Sequence, residues 1–367
     1  MPFSIFLAGL SPWFERVLLL GRLDLRPGPL PHRLPPGPEL VGLPAYDSAA
    51  SPGGLLAALP RTLGVFWRIV GDSDRVLVFG PHPLSAVLVA IALLRGRGTA
   101  IGVRQHYPDY IRHRHPGRRW LHLVGFLLEA IWQLYALFLP TIVVGPDLAR
   151  SYRRAKHLCE ANISLVSEAE VTTVERASAK DYGGALRVLS VGRLDPEKNP
   201  LLLADVAAAW GDERDWRLIV CGDGMLREEL AERVAELGVS DRVELRGYVP
   251  VDGGLGDLYG ECHMLLHVSL TEGMPQVFFE AFAAGLPAVA TEVGGVGRGG
   301  ERAALELIPA ADAAAAATAL ERIADDPGLR RAKVEAGLEY VRAHTLEAEC
   351  RRVAAFVGSP SAARAAA

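Results

Sequence analysis

The feature that most restricts the fold is an alternation of short apolar runs with longer segments of helical periodicity. Arg187–Gly192, Arg217–Cys221 and Met264–Val268 are too brief for helices, and each runs into a glycine-containing or polar loop. Between them lie helix-length stretches. Pro200 opens Leu201–Trp210, and Leu226–Leu237 sets Leu226, Leu230, Val234 and Leu237 on one side with Gly238 at its end. Val243–Leu245 and Pro287–Thr291 continue the strands, and a helix from Pro275 to Ala284 is stopped by Gly285. From Asp312 onward the pattern is helical. Such alternation needs crossover helices on both faces of a parallel sheet, so the predicted class is α/β, doubly wound.

The first half repeats the pattern less sharply. Its predicted strands are Val17–Leu20, Val76–Phe79, Ala100–Arg104, Thr141–Gly145 and Ile163–Val166, with Leu84–Leu94 as a core helix. Residues 26–38, RPGPLPHRLPPGP, form a proline-rich loop that neither a helix nor a central strand accommodates. The polar stretch Ser167–Gly184 reads as an interdomain link. With 367 residues the chain has room for two domains. The expected division is an acceptor-side Rossmann-like domain over 1–167, a second over 168–345, and a C-terminal helix and tail over 346–367.

The net charge of -4 conceals a split: residues 1–150 carry 15 Arg, no Lys and 9 acids, and the acidic excess lies beyond them. One concentrated basic stretch, Arg104 to Arg119, includes Arg112, His113, Arg114, His115 and Arg118. It is the one stretch concentrated enough for a nucleic-acid surface, and no nucleic-acid partner is expected; beside an apolar helix it suits an anionic membrane surface. Trp120–Pro140 approaches a membrane span in length, yet Glu129 at its centre argues for a buried helix or one lying on lipid. The N-terminus lacks a signal-peptide pattern, and the scattered Cys159, Cys221, Cys262 and Cys350 fit a reducing, cytoplasmic compartment.

Ligands in open α/β sheets bind beyond the carboxyl ends of the strands. Arg193 and Lys198, in VGRLDPEKN, leave a strand on a tight turn and suit a diphosphate; an Arg193–Asp195 pair in a solvated loop fits equally well. Gly222, Asp223 and Gly224 form either a close-approach loop for a nucleotide or an ordinary turn. In SLTEGMPQVFFE, Gly273 and Pro275 put a helix N-terminus after a strand, where free N–H groups favour phosphate. Glu272 precedes that helix. Glu280 lies inside it on an apolar segment, where a carboxylate requires partners; a ribose diol, a backbone group or an Arg would serve.

These pieces (VGRLDPEKN, CGDG, RGYVP, SLTEGMPQVFFEAFAAGLPAVAT with its E-x7-E spacing, then VGG) run in order over roughly 186–296. Together they resemble the donor domain of the retaining GT-B glycosyltransferases of family 4. The resemblance implies two Rossmann-like domains facing a cleft and a nucleotide-diphosphate sugar as substrate. It implies no metal or other cofactor, and a glycan, lipid-linked or small-molecule acceptor. By the family's pattern Arg193 and Lys198 neutralise the diphosphate, Glu272 meets the transferred sugar and Glu280 the ribose. Gly273, Met274 and Pro275 meet sugar and phosphate; Gly222–Gly224 and the Gly247–Tyr248 loop hold the base. In the first half, His106 is the candidate for a donor-sugar contact, and His82, Arg104 and Asp109 for the acceptor side. Two departures stand out. The family's opening strand and glycine-rich turn are missing, so the chain is read as starting inside a helix Phe3–Phe14; this motivates an alternative reading as an impaired nucleotide-sugar-binding scaffold. Gly295–Glu301 also lacks the family's usual proline and acid.

Overall fold

The computed structural model describes residues 2–22, 36–44, 52–114, 118–211, 213–250 and 254–358. Most of the expected proline-rich loop and the tail from 359 lie outside them. The chain divides into two compact units, one built from residues up to Ile163 together with the segment from Glu347 onward, the other from Ser164 to Leu346.

In the first unit, α1 (Pro2–Ala8) is followed by a 3-10 turn, Ser11–Trp13. The helix expected over Phe3–Phe14 is therefore interrupted, as Pro12 has no N–H to continue it. β1 (Leu18–Arg22) pairs in parallel with β2 (Glu39–Leu43), Leu20 opposite Val41. β2 escaped sequence reading because its residues are largely exposed and Pro38 and Pro44 close in on both ends of its short run. α2 (Pro52–Gly71) leads to β3 (Arg75–Gly80), α3 (Pro83–Leu94), β4 (Gly98–Val103), α4 (Tyr107–Arg114), α5 (Arg119–Ala136), β5 (Pro140–Val144), α6 (Pro146–Ser151) and β6 (His157–Ala161). The last four strands form a parallel sheet in the order β3-β4-β5-β6. The strand expected at Ile163–Val166 is thus displaced to β6, whose exposed His157 and Glu160 mark a partly solvated strand rather than an apolar run. No described helix is long and apolar enough to cross a membrane. Glu129 is buried within α5 and accepts hydrogen bonds from the Tyr152 hydroxyl at 2.6 Å and the Tyr107 N–H at 3.3 Å.

In the second unit the polar stretch 167–184 is more ordered than a link. A capping box at Ser167 and Glu170 closes one turn, and Thr173 caps α7 (Val174–Ser178). There follow β7 (Leu186–Val191), α8 (Leu201–Trp210), β8 (Trp216–Cys221), α9 (Arg227–Glu236), β9 (Val243–Gly247) and α10 (Leu255–Glu261). Next come β10 (Met264–His267), α11 (Gln276–Ala283), β11 (Ala288–Thr291), β12 (Leu305–Ile308), α12 (Ala313–Asp325) and α13 (Pro327–Ala343). All six strands are parallel, in the order β12-β11-β10-β7-β8-β9. Both faces are buried. Val188, Leu218 and Val220 pack with α8 and α12, while Leu189, Ile219 and Leu265 pack with α11. That double burial is why these strands read as continuous apolar runs. α14 (Leu346–Phe356) returns to the first unit, where the Cys350 thiol donates to the Phe6 carbonyl and Glu349 accepts from the Asn162 N–H.

Candidate active site

The strand order reverses direction between β7 and β10, which lie side by side with Leu189 opposite Leu265. This is the topological switch point of the sheet, where loops diverge and leave a crevice at the strands' carboxyl ends. The loop after β7 carries Arg193 and Lys198; the loop after β10 carries Glu272. Chain folding brings Lys198 and Glu272, 74 positions apart, to 2.5 Å.

Glu272 is held by three donors that all meet its Oε1: Lys198 Nζ at 2.5 Å, Ser269 Oγ at 2.7 Å and His267 Nε2 at 2.9 Å. Its Oε2 takes none of them. The side chain is 9% exposed. Burial by itself would push this carboxyl up, but His267 and Lys198 outweigh it and hold it at about 2. Sequence reading missed His267 and Ser269 as site residues. The only signal was a histidine ending an otherwise apolar strand, a position that a satisfied core histidine fills as well.

Arg193 behaves differently. Its side chain is 65% exposed and pairs with Asp195 and, at 2.5 Å, with Glu197. The Arg193–Asp195 pair that the sequence allows is present.

α11 starts after Pro275, directly beyond Glu272 and Gly273, and a Cβ on Gly273 would meet nothing within 4 Å. Just over one turn in, Glu280 Oε2 accepts from the Tyr259 hydroxyl at 2.7 Å. Burial pushes the Glu280 carboxyl up, against the opposing effect of that hydrogen bond. Tyr259, on α10, was not legible as a site residue because that helix was not foreseen.

The loop after β8 shows why its glycines are there. A Cβ on Gly222 would lie 1.7 Å from the Gly192 carbonyl, and one on Gly224 within 2.6 Å of the Leu194 backbone. The two strand-end loops are laced together by Gly192 N–H to Cys221, Leu194 N–H to Asp223 and Leu226 N–H to Leu194. Asp223 and Tyr248 are exposed beside them, and the Gly247 carbonyl accepts from the Gly222 N–H. Gly294 makes a second backbone approach. Its φ is +56° and a Cβ there would sit 2.0 Å from the Glu272 carbonyl. The divergent loop beyond it is organised by buried Glu301, which accepts from the N–H groups of Gly297 and Gly299.

The remaining predicted residues belong to the other unit. His82 caps α3, its Nδ1 accepting from the Leu84 N–H. Arg104 and His106 follow β4 directly, and Asp109 lies in α4.

The parallel sheets of the two units match those of solved structures with the GT-B fold. The family model described as "Glycosyl transferases group 1" matches residues 172–339, most of the second unit. Over 171 residues the chain is 28% identical to the Campylobacter jejuni N-acetylgalactosamine-N,N'-diacetylbacillosaminyl-diphospho-undecaprenol 4-alpha-N-acetylgalactosaminyltransferase, covering 46% of this chain and 44% of that protein. The chain thus spans less than half the length of that relative. Among solved structures, sucrose-phosphate synthase from Thermosynechococcus elongatus superposes with a TM-score of 0.68 at 21% identity, covering 95% of this chain and 90% of that one. Anabaena HepE in complex with UDP gives 0.68 at 16% identity, covering 98% and 96%.

Proposed function

We propose that the protein is a retaining glycosyltransferase that moves a sugar from a nucleoside-diphosphate sugar to a glycan, lipid-linked or small-molecule acceptor on the cytoplasmic side of a membrane. The observation that carries this reading is the Lys198–Glu272 pair at the switch point, beside the N-terminus of α11. Lys198 neutralises the diphosphate, joined by Arg193 once it leaves Asp195 and Glu197. The N–H groups opening α11 add fixed positive ends where the leaving charge develops. Glu272, anchored through Oε1, offers Oε2 to the transferred sugar. Glu280 takes the ribose hydroxyls, and the Gly222–Gly224 and Gly247–Tyr248 loops take the base. His106 contributes to the donor sugar, and His82, Arg104 and Asp109 to the acceptor side.

In the step itself the bond from the anomeric carbon to the diphosphate oxygen breaks as the acceptor oxygen bonds on the same face. The acceptor's proton passes to the departing phosphate oxygen, so configuration is retained. These carboxylates are therefore not a flanking hydrolase pair. The reading needs no metal, since Arg193, Lys198 and the helix N-terminus supply the positive charge. HepE crystallised with UDP supports a nucleotide donor, and the undecaprenol in the Campylobacter enzyme's name supports a lipid-linked acceptor.

The test is turnover of a panel of uridine, guanosine and adenosine diphosphate sugars, with and without EDTA, by the chain and by its Glu272→Ala variant. Turnover insensitive to EDTA and lost in the variant is expected. Binding without turnover would leave a nucleotide-sugar scaffold, and no binding at all would sink the reading.

A further inference from the structure

Helix α5 turns its oily side outward. Trp120, Leu123, Phe126, Leu127 and Leu134 on the helix, and Phe138 just beyond it, are each 51–69% exposed. They recur at helical spacing on the side opposite the buried Leu121, Gly125, Leu128, Trp132 and Ala136. Among the described residues from 120 to 138, Gln133 is the one polar side chain at an exposed position. At 1.5 Å per residue the stripe runs about 27 Å. That many half-exposed large side chains make an apolar patch of several hundred Å2, on the order of the largest a water-soluble monomer carries, and patches of that size mark interaction surfaces.

The charges next to the stripe in sequence are mostly positive: residues 104–138 contain five Arg, no Lys and two acids, Asp109 and Glu129. Glu129, the charge that argues against a membrane-crossing helix, is turned inward onto Tyr152 and Tyr107. Exposed Arg118 and Arg119 stand at the start of α5 next to Trp120, and exposed Arg112 is on α4, which packs along α5. A charge-free apolar stripe with a tryptophan and guanidinium groups at one end matches an interfacial helix: side chains enter the acyl boundary, and arginines meet anionic headgroups.

We infer that the outer face of α5, with Arg112, Arg118 and Arg119, is the surface by which this protein docks onto an anionic bilayer. The inference rests on the proposed membrane-side reaction only for its purpose; the surface is argued from exposure and charge alone.

The experiment is flotation of the full chain with vesicles of phosphatidylcholine, pure or with about one-third phosphatidylglycerol, at low and high salt. Wild type should float with the anionic vesicles and much less with the neutral ones, and high salt should weaken it. Arg118→Glu/Arg119→Glu should lower partitioning at least about tenfold and abolish the preference for anionic lipid. Leu123→Glu/Leu127→Glu should abolish flotation on either vesicle while keeping the wild-type circular dichroism and melting temperature. Failure of wild type to float, or flotation that survives the leucine double variant, would overturn the proposal. A wild-type dimer in light scattering that ignores vesicles and dissociates in that variant would overturn it in favour of a self-interface. Hydrolysis of a soluble nucleotide sugar, measured in parallel, separates the two readings: turnover without flotation defeats only the docking surface, and flotation without turnover defeats only the transferase.

Discussion

Glu272 offers a quantitative test of the site's electrostatics. Its carboxyl sits at about 2 in the fold against an ordinary 4.5, so its ionisation stabilises the folded chain. That gap corresponds to about 3.4 kcal/mol, present in full above pH 4.5 and lost as pH falls toward 2. By pH 3.5 about 1.4 kcal/mol is gone, a tenfold change in the unfolding constant. Glu272→Gln removes the titrating group and leaves Lys198 Nζ and His267 facing a neutral amide. At pH 6 the variant should therefore be less stable than wild type by about 3 kcal/mol, in the range for breaking a buried pair. At pH 3.5 the gap should narrow to about 2 kcal/mol, because wild type loses what the variant never had. Urea unfolding of both proteins at the two pH values measures this, and the other carboxylates cancel in the difference. A gap that stays constant or widens on acidification would refute the claim that His267 and Lys198 outweigh the burial of Glu272.

Other expectations follow from the same geometry. Lys198→Ala should lower kcat about 10²–10³-fold with a smaller change in KM, as for loss of a group that stabilises leaving charge, measured in steady-state donor turnover. Gly294→Ala should cost at least about 1–2 kcal/mol from the left-handed backbone alone, more from the approach to the Glu272 carbonyl, and should reduce turnover with stability, read by thermal melting and donor assay. Tyr259→Phe removes the one effect that lowers the Glu280 carboxyl, so donor KM should rise and should rise further toward acid, where a Glu280→Gln variant shows no such trend. If Tyr259→Phe binds donor like wild type from pH 5 to 8, the ribose role of Glu280 loses its support.

The second unit was the more legible because both faces of its sheet are buried. A strand such as Leu218–Cys221 has no polar alternation to disguise it, and glycines at 238 and 285 mark helix ends. The first unit hid β2, a short run between Pro38 and Pro44, and β6, where His157 and Glu160 break the apolar pattern, and a proline split its opening helix. At the site, short-range motifs found Glu272, Lys198 and Glu280 but not what restrains them. His267 and Tyr259 reach their carboxylates from β10 and α10, and at those positions an aromatic or imidazole ring looks like core packing. The CGDG glycines suit either a close-approaching ligand or a turn; their nearest neighbours are the backbone of the adjoining loop.

The return of α14 to the first unit has a consequence for how the chain is made. The first unit is discontinuous, and the segment carrying Cys350 and Glu349 is synthesised only after the entire second unit has been. The Phe6 carbonyl meets Cys350 344 positions later, and the Asn162 N–H meets Glu349 187 positions later. On the ribosome the second unit has every strand of its sheet available first, while the amino-terminal unit stays unfinished until the nascent chain's last described helix emerges. A truncation removing α14 should accordingly damage the half of the protein that lies farthest from it in sequence.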